Sequence, residues 1–257
     1  MKLAVVISAG HDFPDKQVTA AAQLATALDA PITGIITTEQ GIDYYPMDDG
    51  GFADVAAATI EDAERRINSC VDAFKTKCAG LGLAQEWYGR HGFIQQAWPS
   101  LSPYFDLAVV TSPLSAAELA NAGIAATLQL HNDSVIGSFD KRCVIAWDGS
   151  MASGRAVRAA MPLLRRFAQV EVIMVDAKRR SISTDIGSYL AANGITATIS
   201  SDVSGDDTVA GLIMAQANGA DLLVMGAYGG SVIFERLFGG VTESIQADCK
   251  TPVLYAH

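Results

Sequence analysis

The sequence predicts an α/β protein with two domains, each a parallel sheet of five strands flanked by helices. Short apolar runs with the length of buried strands alternate with segments of helical periodicity, a pattern typical of parallel sheets. This alternation passes through five strands and then starts again. The chain of 257 residues also exceeds the roughly 100–200 residues of a usual single domain. We therefore place one domain at residues 1–137 and a second at 138–257, because the polar segment around this boundary lacks periodicity.

The first half contains five predicted strands and the helices between them. The clearest helix lies between residues 60 and 78, where Ile60, Ile67 and Phe74 fall on one apolar stripe and Gly80 supplies a stop signal. Residues 39–54 before it are polar and contain glycine, which is typical of a loop. The predicted strands are 3–8, 32–36, 84–88, 107–111 and 126–130, with further helices at 18–28, 93–105 and 115–122.

The second half repeats this order of elements. Residues 143–150 (CVIAWDGS) align with 3–10 (LAVVISAG), and residues 220–228 (ADLLVMGAY) align with 105–113 (FDLAVVTSP). Self-similarity of this kind indicates an internal duplication. The predicted strands are 143–147, 170–175, 196–200, 222–225 and 252–255, with helices at 152–167, 183–192, 208–218 and 242–248.

Charge and composition argue against several classes of partner. A net charge of −10 would repel the phosphates of nucleic acid, so we expect no nucleic-acid partner. No apolar run approaches the ~20 residues of a membrane-spanning helix, and we expect no membrane partner. The four cysteines lack CxxC spacing, which disfavours zinc and disulfides and favours a reducing, cytoplasmic setting. We predict no metal-binding site.

A glycine-rich segment between the fourth strand and the last helix of the second half is the strongest functional signal. Glycine allows the backbone to approach a ligand closely and to adopt positive φ without strain. A loop that leaves a strand and begins a helix presents free N–H groups, which suit a phosphate. The alternative is that the glycines serve only to turn the chain. The glycines are Gly226, Gly229, Gly230, Gly239 and Gly240.

With this loop the chain resembles a tandem universal stress protein. Nucleotide-binding members of that family carry glycine, two residues, glycine, nine residues, glycine, and then Ser or Thr. Gly226, Gly229 and Gly239 meet both spacings, whereas Gly240 stands where the hydroxyl residue would be. This departure puts a preference for a triphosphate in doubt, although Thr242 or Ser244 could supply the hydroxyl.

The resemblance implies Rossmann-like sheets and a ligand across the carboxyl ends of the strands. It implies that Asp148 and Val175 contact the adenine and ribose side. The implied cofactor is ATP, AMP or ADP, with Mg²⁺ as a companion of the phosphates. The residues implied on the phosphate side are Gly226, Gly229, Gly239, Gly240, Val241 and Thr242.

Some of the same residues have competing structural roles. Asp148 could be the N-cap of the helix that follows it. Residues 149–156 mimic the spacing of a phosphate-binding Walker loop, but Arg155 and Ala156 replace its Lys and its Ser or Thr. We therefore interpret that segment as the start of a helix. Residues 206–207, two aspartates, predict helix capping, with magnesium held through a phosphate as the alternative.

Three functions remain open at this stage. The favoured one is a non-catalytic stress-response protein that binds an adenine nucleotide in its second domain. A slow ATP hydrolase or phosphotransferase would need a positioned water and a cation, and Arg236 is the only basic residue inside the loop. We can pair no nucleophile with a base, so no catalytic residue is predicted. The third possibility is an interaction module without nucleotide.

The first half lacks the features of the predicted site. Pro113 has no N–H to offer a phosphate, a single glycine follows the fourth strand, and we align Ala9 with Asp148. We therefore expect one nucleotide per chain. The first half would pack on the second as a pseudo-symmetric partner through the strands at 126–130 and 252–255. A homodimer remains open.

Overall fold

The computed structural model describes nine segments of the chain. They are residues 1–38, 52–83, 86–90, 92–111, 113–131, 138–176, 185–204, 208–228 and 240–257. The expected glycine loop at 229–239 and the expected domain boundary near 137 lie outside these segments. The boundary therefore stays a prediction.

Ten strands and eight α-helices alternate through the described residues. The strands are β1 Leu3–Ser8, β2 Ile32–Thr37, β3 Glu86–Arg90, β4 Leu107–Thr111, β5 Ala126–Leu130, β6 Arg142–Ala146, β7 Gln169–Val175, β8 Ala197–Asp202, β9 Leu222–Gly226 and β10 Val253–Ala256. The helices are α1 Asp15–Ala27, α2 Phe52–Gly80, α3 Ile94–Leu101, α4 Ala116–Ala122, α5 Met151–Leu164, α6 Ile186–Ala192, α7 Val209–Ala217 and α8 Val241–Asp248, with a 3₁₀ turn at Ser102–Tyr104.

All ten strands form one sheet in the order β3-β2-β1-β4-β5-β10-β9-β6-β7-β8. Neighbours within each half are parallel, whereas β5 and β10 pair antiparallel at the centre, with Thr127 opposite Tyr255. The order of strands in the second half is thus the mirror of the order in the first. Both the α/β class with five parallel strands per half and the central pairing of the two halves are confirmed.

Helices cover both faces of the sheet and create two apolar cores. Residues of α1, α2, α5 and α6 share one core with the strands, and residues of α3, α4, α7 and α8 share the other. All four cysteines are buried and unpaired, and they belong to these cores. No helix in the described part of the chain is long and apolar enough to cross a membrane.

Several element boundaries in the first half differ from the sequence prediction; α1 begins at Asp15 and not at 18, and α3 ends at Leu101 and not at 105. Helix α2 begins at Phe52, inside the segment expected to be a loop, because the sequence prediction followed an apolar stripe that starts only at Ile60. Strand β3 spans Glu86–Arg90 and not 84–88. This strand lies at the edge of the sheet with exposed side chains, so it lacks the apolar pattern that marks a buried strand.

An ion pair joins neighbouring strands near the start of β6. The Arg142 guanidinium donates to both carboxylate oxygens of Glu171 on β7, at 3.0 and 2.8 Å, and also to the backbone carbonyls of Gln216 and Asn218 at the end of α7. These contacts anchor α7 to the sheet. In the first half, Lys2 makes a more exposed pair with Glu86 at 3.0 Å.

Side chains on both faces also join the two halves directly. On one face, the Arg166 guanidinium donates to the carbonyl of Ala27 at the end of α1, at 2.8 Å. On the other, the Ser115 hydroxyl donates to Oε1 of Gln246 on α8, also at 2.8 Å. The halves are therefore connected by the sheet and by contacts on each of its faces.

Candidate functional site

The candidate site lies at the carboxyl ends of β9, β6 and β7, which are neighbours in the sheet. Gly226 is the last residue of β9 and Val175 the last of β7, while Asp148 follows β6 by two residues. The fold thus brings three of the sequence-predicted site residues to one edge of the sheet. This is the edge at which open α/β sheets hold ligands.

Asp148 shapes the turn between β6 and α5. Its Oδ1 accepts the backbone N–H of Ser150 at 2.9 Å, and Ser150 in turn caps α5 by accepting the N–H of Ser153. The helix cap is therefore Ser150, and the alternative that Asp148 is the N-cap is wrong. The interpretation of residues 149–156 as the start of a helix is confirmed. Asp148 is half-buried.

Gly226 is required by packing between β9 and α5. A Cβ at this position would lie 2.6 Å from the backbone nitrogen of Ser153 and 2.8 Å from the carbonyl carbon of Ala152. Neither atom is the end of a flexible side chain, so any larger residue would push the start of α5 off the sheet. The first glycine of the predicted loop thus has a structural role, independent of a ligand.

The start of α8 lies at the other end of the segment that follows β9. Gly240 occupies the N-cap position with φ of 89°, and no side chain caps the helix in the part of the chain that is described. Val241 and Thr242 form the first turn, and Thr242 Oγ1 lies 3.4 Å from the backbone nitrogen of Tyr228. Gly229 and Gly239 fall outside the described residues, so their proposed phosphate contacts stay predictions.

The charged side chains near the start of α8 that are described include two carboxylates. Glu243 occupies the first turn of α8, with its Oε2 close to Gly240. Burial raises the pKa of Tyr228, and the negative charges of Glu243 and of Glu118 on α4 raise it further. A phosphate at the start of α8 would therefore meet favourable backbone N–H groups together with a nearby negative side chain.

Strand registers define which residues of the two halves correspond. Leu3 pairs with Leu107, as Cys143 pairs with Leu222, so Ser8 occupies the place of Asp148. The choice of Ala9 as the counterpart of Asp148 is therefore wrong by one residue, whereas the alignment of residues 3–10 with 143–150 agrees with the registers. The local geometry agrees, because the Ser8 hydroxyl accepts the N–H of Gly10 at 3.4 Å just as Asp148 accepts that of Ser150.

Asp176 is a buried carboxylate at this sheet edge that the sequence analysis did not single out. It follows β7, is buried, adopts φ of 56°, and its Oδ1 accepts the backbone N–H of Ser204 at 3.1 Å. Its counterpart Thr38 accepts the N–H of Gly92 in the same way, at 3.2 Å. Only the internal repeat could have singled out Asp176, by showing a carboxylate where the other half has a hydroxyl.

The described residues at this sheet edge offer both hydrogen-bond acceptors and donors. No group of three or more His, Cys, Asp or Glu side chains that could hold a metal occurs in the described part of the chain. Asp148 offers carboxylate oxygens to hydroxyl or amino groups, and α8 offers backbone N–H groups to an anion. Such a combination of acceptor and donor groups suits the two ends of a nucleotide.

Comparison with solved structures identifies this architecture. A universal stress protein from Archaeoglobus fulgidus DSM 4304 matches with a TM-score of 0.67 and 15% identity, over 98% of this chain and 95% of that one. A putative universal stress protein from Pseudomonas aeruginosa UCBPP-PA14 matches with a TM-score of 0.55 and 12% identity, over 99% and 92%. These likenesses show a universal stress protein fold over nearly the whole chain.

A shorter protein is similar to part of this chain in sequence. A universal stress protein solved in complex with cAMP is 31% identical, over 46% of this chain and 96% of that one, with a TM-score of 0.36. No protein-family model and no curated protein matches the chain. The fold defines a tandem α/β protein with two repeated halves. The chain belongs to the universal stress protein family.

Proposed function

We propose that the second half binds one adenine nucleotide at the carboxyl ends of β9, β6 and β7. The observation that carries this proposal is the meeting of Asp148, Val175 and Gly226 at one sheet edge, between the starts of α5 and α8. Helix starts and strand ends supply the anion-binding and hydrogen-bonding groups that a nucleotide requires.

Each end of the nucleotide has its own partners in this proposal. Asp148 accepts hydrogen bonds from ribose or adenine, and Val175 provides an apolar contact at the end of β7. The phosphates meet the backbone of the glycine loop and the start of α8, through Gly226, Gly229, Gly239, Gly240, Val241 and Thr242. The domain boundary at 137/138 belongs to the same proposal, and it leaves the complete site in one domain.

The kind of nucleotide is decided at the start of α8. Gly240 offers no hydroxyl, and the Glu243 carboxylate lies close to it. Each added phosphate charge increases repulsion from that carboxylate, so a nucleotide with few phosphates fits better than ATP. The related protein in complex with cAMP makes cyclic AMP a further ligand to test.

Calorimetric titration with AMP, cAMP, ADP and ATP tests the proposal, with and without Mg²⁺ for ATP. One nucleotide should bind per chain. Replacement of Asp148 by Ala should weaken binding about ten- to a hundredfold, because it removes a hydrogen bond to a charged group. Ser8→Ala is the matched control in the first half and should leave the affinity unchanged. Equal affinity of the Asp148 variant and the parent protein would contradict the assigned role of Asp148.

The bound nucleotide acts as a signal and not as a substrate in this proposal. Rapid turnover would require a nucleophile, a base and a charge-stabilising cation around the phosphates. A hydrolysis rate near the ~10 per second of ordinary enzymes, lost on replacement of Asp148, would instead support the hydrolase hypothesis. Absence of binding to the whole panel would favour the interaction module without nucleotide.

A further inference from the structure

A second cleft lies between the two halves, beside the central strand pair. Its volume is about 760 Å³, within the roughly 300–1,000 Å³ of small-molecule pockets. The first half contributes residues at the starts of β1, β4 and β5, and the second contributes α5 and the end of β10. None of the proposed nucleotide-binding residues lines it, so the cleft is distinct from that site.

Two arginines of α5 place positive charge at the cleft. Arg155 and Arg158 lie one helical turn apart, and both are exposed. Neither guanidinium makes a hydrogen bond or ion pair within the described part of the chain. Acidic residues outnumber basic ones by 28 to 18, so carboxylate partners are plentiful elsewhere. Two adjacent guanidinium groups that face a cleft without such a partner are suited to an external anion.

The polar groups opposite the arginines already have partners. One Oδ atom of Asp106 accepts the backbone N–H of Lys2 at 2.7 Å. The Nδ1 of His257 lies 2.9 Å from the carbonyl oxygen of Ala227, which it meets as a donor. Arg155 and Arg158 thus differ from these two residues in having no hydrogen-bond partner among the described residues.

The rest of the lining is largely apolar. Phe105, Ala125 and Ala126 line the cleft from the first half, and Ala159 and Pro162 line it from α5. The side chain of Ile124 at the cleft is 80% exposed. Covering this apolar surface would stabilise a complex in proportion to the area removed from water.

We infer that this cleft binds an organic anion that combines a negatively charged head with an apolar body. The head lies between Arg155 and Arg158, where each guanidinium can donate two hydrogen bonds to a carboxylate, sulfonate or phosphate group. The body covers the exposed side chain of Ile124. The site does not depend on the proposed nucleotide site, and both halves of the chain are needed to form it.

Two fluorescent probes test this inference in the full chain. Anilinonaphthalene sulfonate has the required charge and apolar body, whereas N-phenylnaphthylamine has a similar aromatic body without the charge. Arg155→Gln and Arg158→Gln should each weaken binding of the sulfonate about tenfold, because each removes charge-assisted hydrogen bonds. Binding of the neutral probe should change less than about twofold, since its body meets only apolar surface. Arg165→Gln, at the end of the same helix and outside the cleft, removes the same charge as a matched control.

Four outcomes decide whether the cleft between the halves is the binding site. Loss of sulfonate binding in the two cleft variants but not in the Arg165 variant supports the inference. Equal losses in all three would indicate a general effect of charge and would overturn it. Unchanged binding in both cleft variants would also overturn it. Ala159→Trp, which fills the cleft, should reduce binding of both probes, and retained binding in a variant with native circular dichroism would place the probes elsewhere.

Discussion

The segments β4–α4–β5 and β9–α8–β10 have the same topology, but the starts of helices α4 and α8 are capped differently. In the first half, Ser115 Oγ accepts the N–H of Glu118, and Oε1 of Gln129 accepts the N–H of Ala116 at 2.7 Å. In the second half, Gly240 caps α8 without a side chain. One helix start is thus satisfied within the protein, whereas no side chain among the described residues satisfies the backbone donors at the other. Repetition of the fold therefore does not repeat the way in which its helices are capped.

The same contrast extends along the sheet edge. Ser8 and Thr38 in the first half correspond to Asp148 and Asp176 in the second, so hydroxyl groups are replaced by carboxylates at two strand ends. Both members of each pair accept an equivalent backbone N–H. The second half therefore keeps the local hydrogen bonds while it adds negative charge and further acceptor oxygens.

The largest expected effect on stability is that of a substitution at Gly226, whose counterpart in the first half is Thr111. The register places both at the ends of equivalent strands, and a Cβ at Gly226 would meet the backbone at the start of α5. Gly226→Ala should lower the free energy of unfolding by about 3 kcal/mol, since the overpacked atoms belong to backbone. Chemical denaturation of the full chain measures this change.

Gly154→Ala is the matched control on the helix that Gly226 contacts. A Cβ at Gly154 meets nothing within 4 Å, and the residue lies inside α5. Alanine should therefore raise the free energy of unfolding by roughly 0.5–1 kcal/mol. If both variants changed the free energy of unfolding in the same direction, the close approach of β9 to α5 would not be the cause of the effect at Gly226.

Most of the fold could be predicted from the sequence, because its signals are local. Buried strands such as β4 and β9 are apolar runs, and their helices carry apolar stripes. The central pairing of β5 with β10 followed from the duplication. The boundaries of β3 and α2 were misplaced because the apolar pattern is weak there: β3 is an exposed edge strand, and the start of α2 is rich in alanine.

The candidate site was only partly predictable, because some of its features depend on distant contacts. Asp148 and Gly226 were found from their positions after strands, but the packing of Gly226 on Ser153 joins segments far apart in sequence. Asp176 interacts with Ser204 across the ends of two strands, and neither residue carries a recognisable motif. The counterpart of Asp148 could be read from the sequence, because the alignment of residues 3–10 with 143–150 already gives Ser8, and the strand registers agree; the choice of Ala9 departed from that alignment by one residue.

A second prediction compares the ion pairs of the two halves. Hydrogen bonds from Arg142 hold the pKa of Glu171 below its ordinary value of 4.5. Glu171→Gln should lower the free energy of unfolding by about 2 kcal/mol near neutral pH, because a largely buried charge-assisted hydrogen bond is lost. Glu86→Gln, in the exposed pair with Lys2, should have a much smaller effect.

The pH dependence of this difference has a definite sign. Folding lowers the pKa of Glu171, so the pair stabilises the folded state above about pH 4.5 and loses its contribution as the pH falls through the lower folded value. Urea denaturation at several pH values should show the Glu171 variant and the parent protein converging in acid. A constant difference across that range would contradict the assignment to ionisation of Glu171.

A third prediction concerns the capped helix of the first half. Ser115→Ala should lower the free energy of unfolding by about 1 kcal/mol, because it removes the N-cap of α4. The same change removes the hydrogen bond to Gln246 across the two halves. Ser115→Thr keeps a hydroxyl acceptor and should retain most of the stability. Equal loss in the two variants, measured by thermal unfolding, would show that capping is not the cause.

The smallest expected effect is a gain of nucleotide affinity in Glu243→Gln. Glu243 and Glu118 occupy equivalent positions in the first turns of α8 and α4. Removal of the Glu243 charge leaves the positive end of the α8 dipole without a competing carboxylate. Affinity for AMP should then rise about two- to fivefold at low ionic strength. Salt should reduce this gain, since it screens charges near the surface.

Glu118→Gln is the matched control, because it removes the same charge from the helix whose start is capped within the protein. Its carboxylate also raises the pKa of Tyr228, so it acts on the same region from the first half. We expect a smaller change in AMP affinity than for Glu243→Gln, because the proposed phosphate position lies at the start of α8. Equal gains in the two variants would show that the overall negative charge, and not the position of Glu243 on α8, limits binding. A lower affinity of the Glu243 variant would place the phosphates away from this helix.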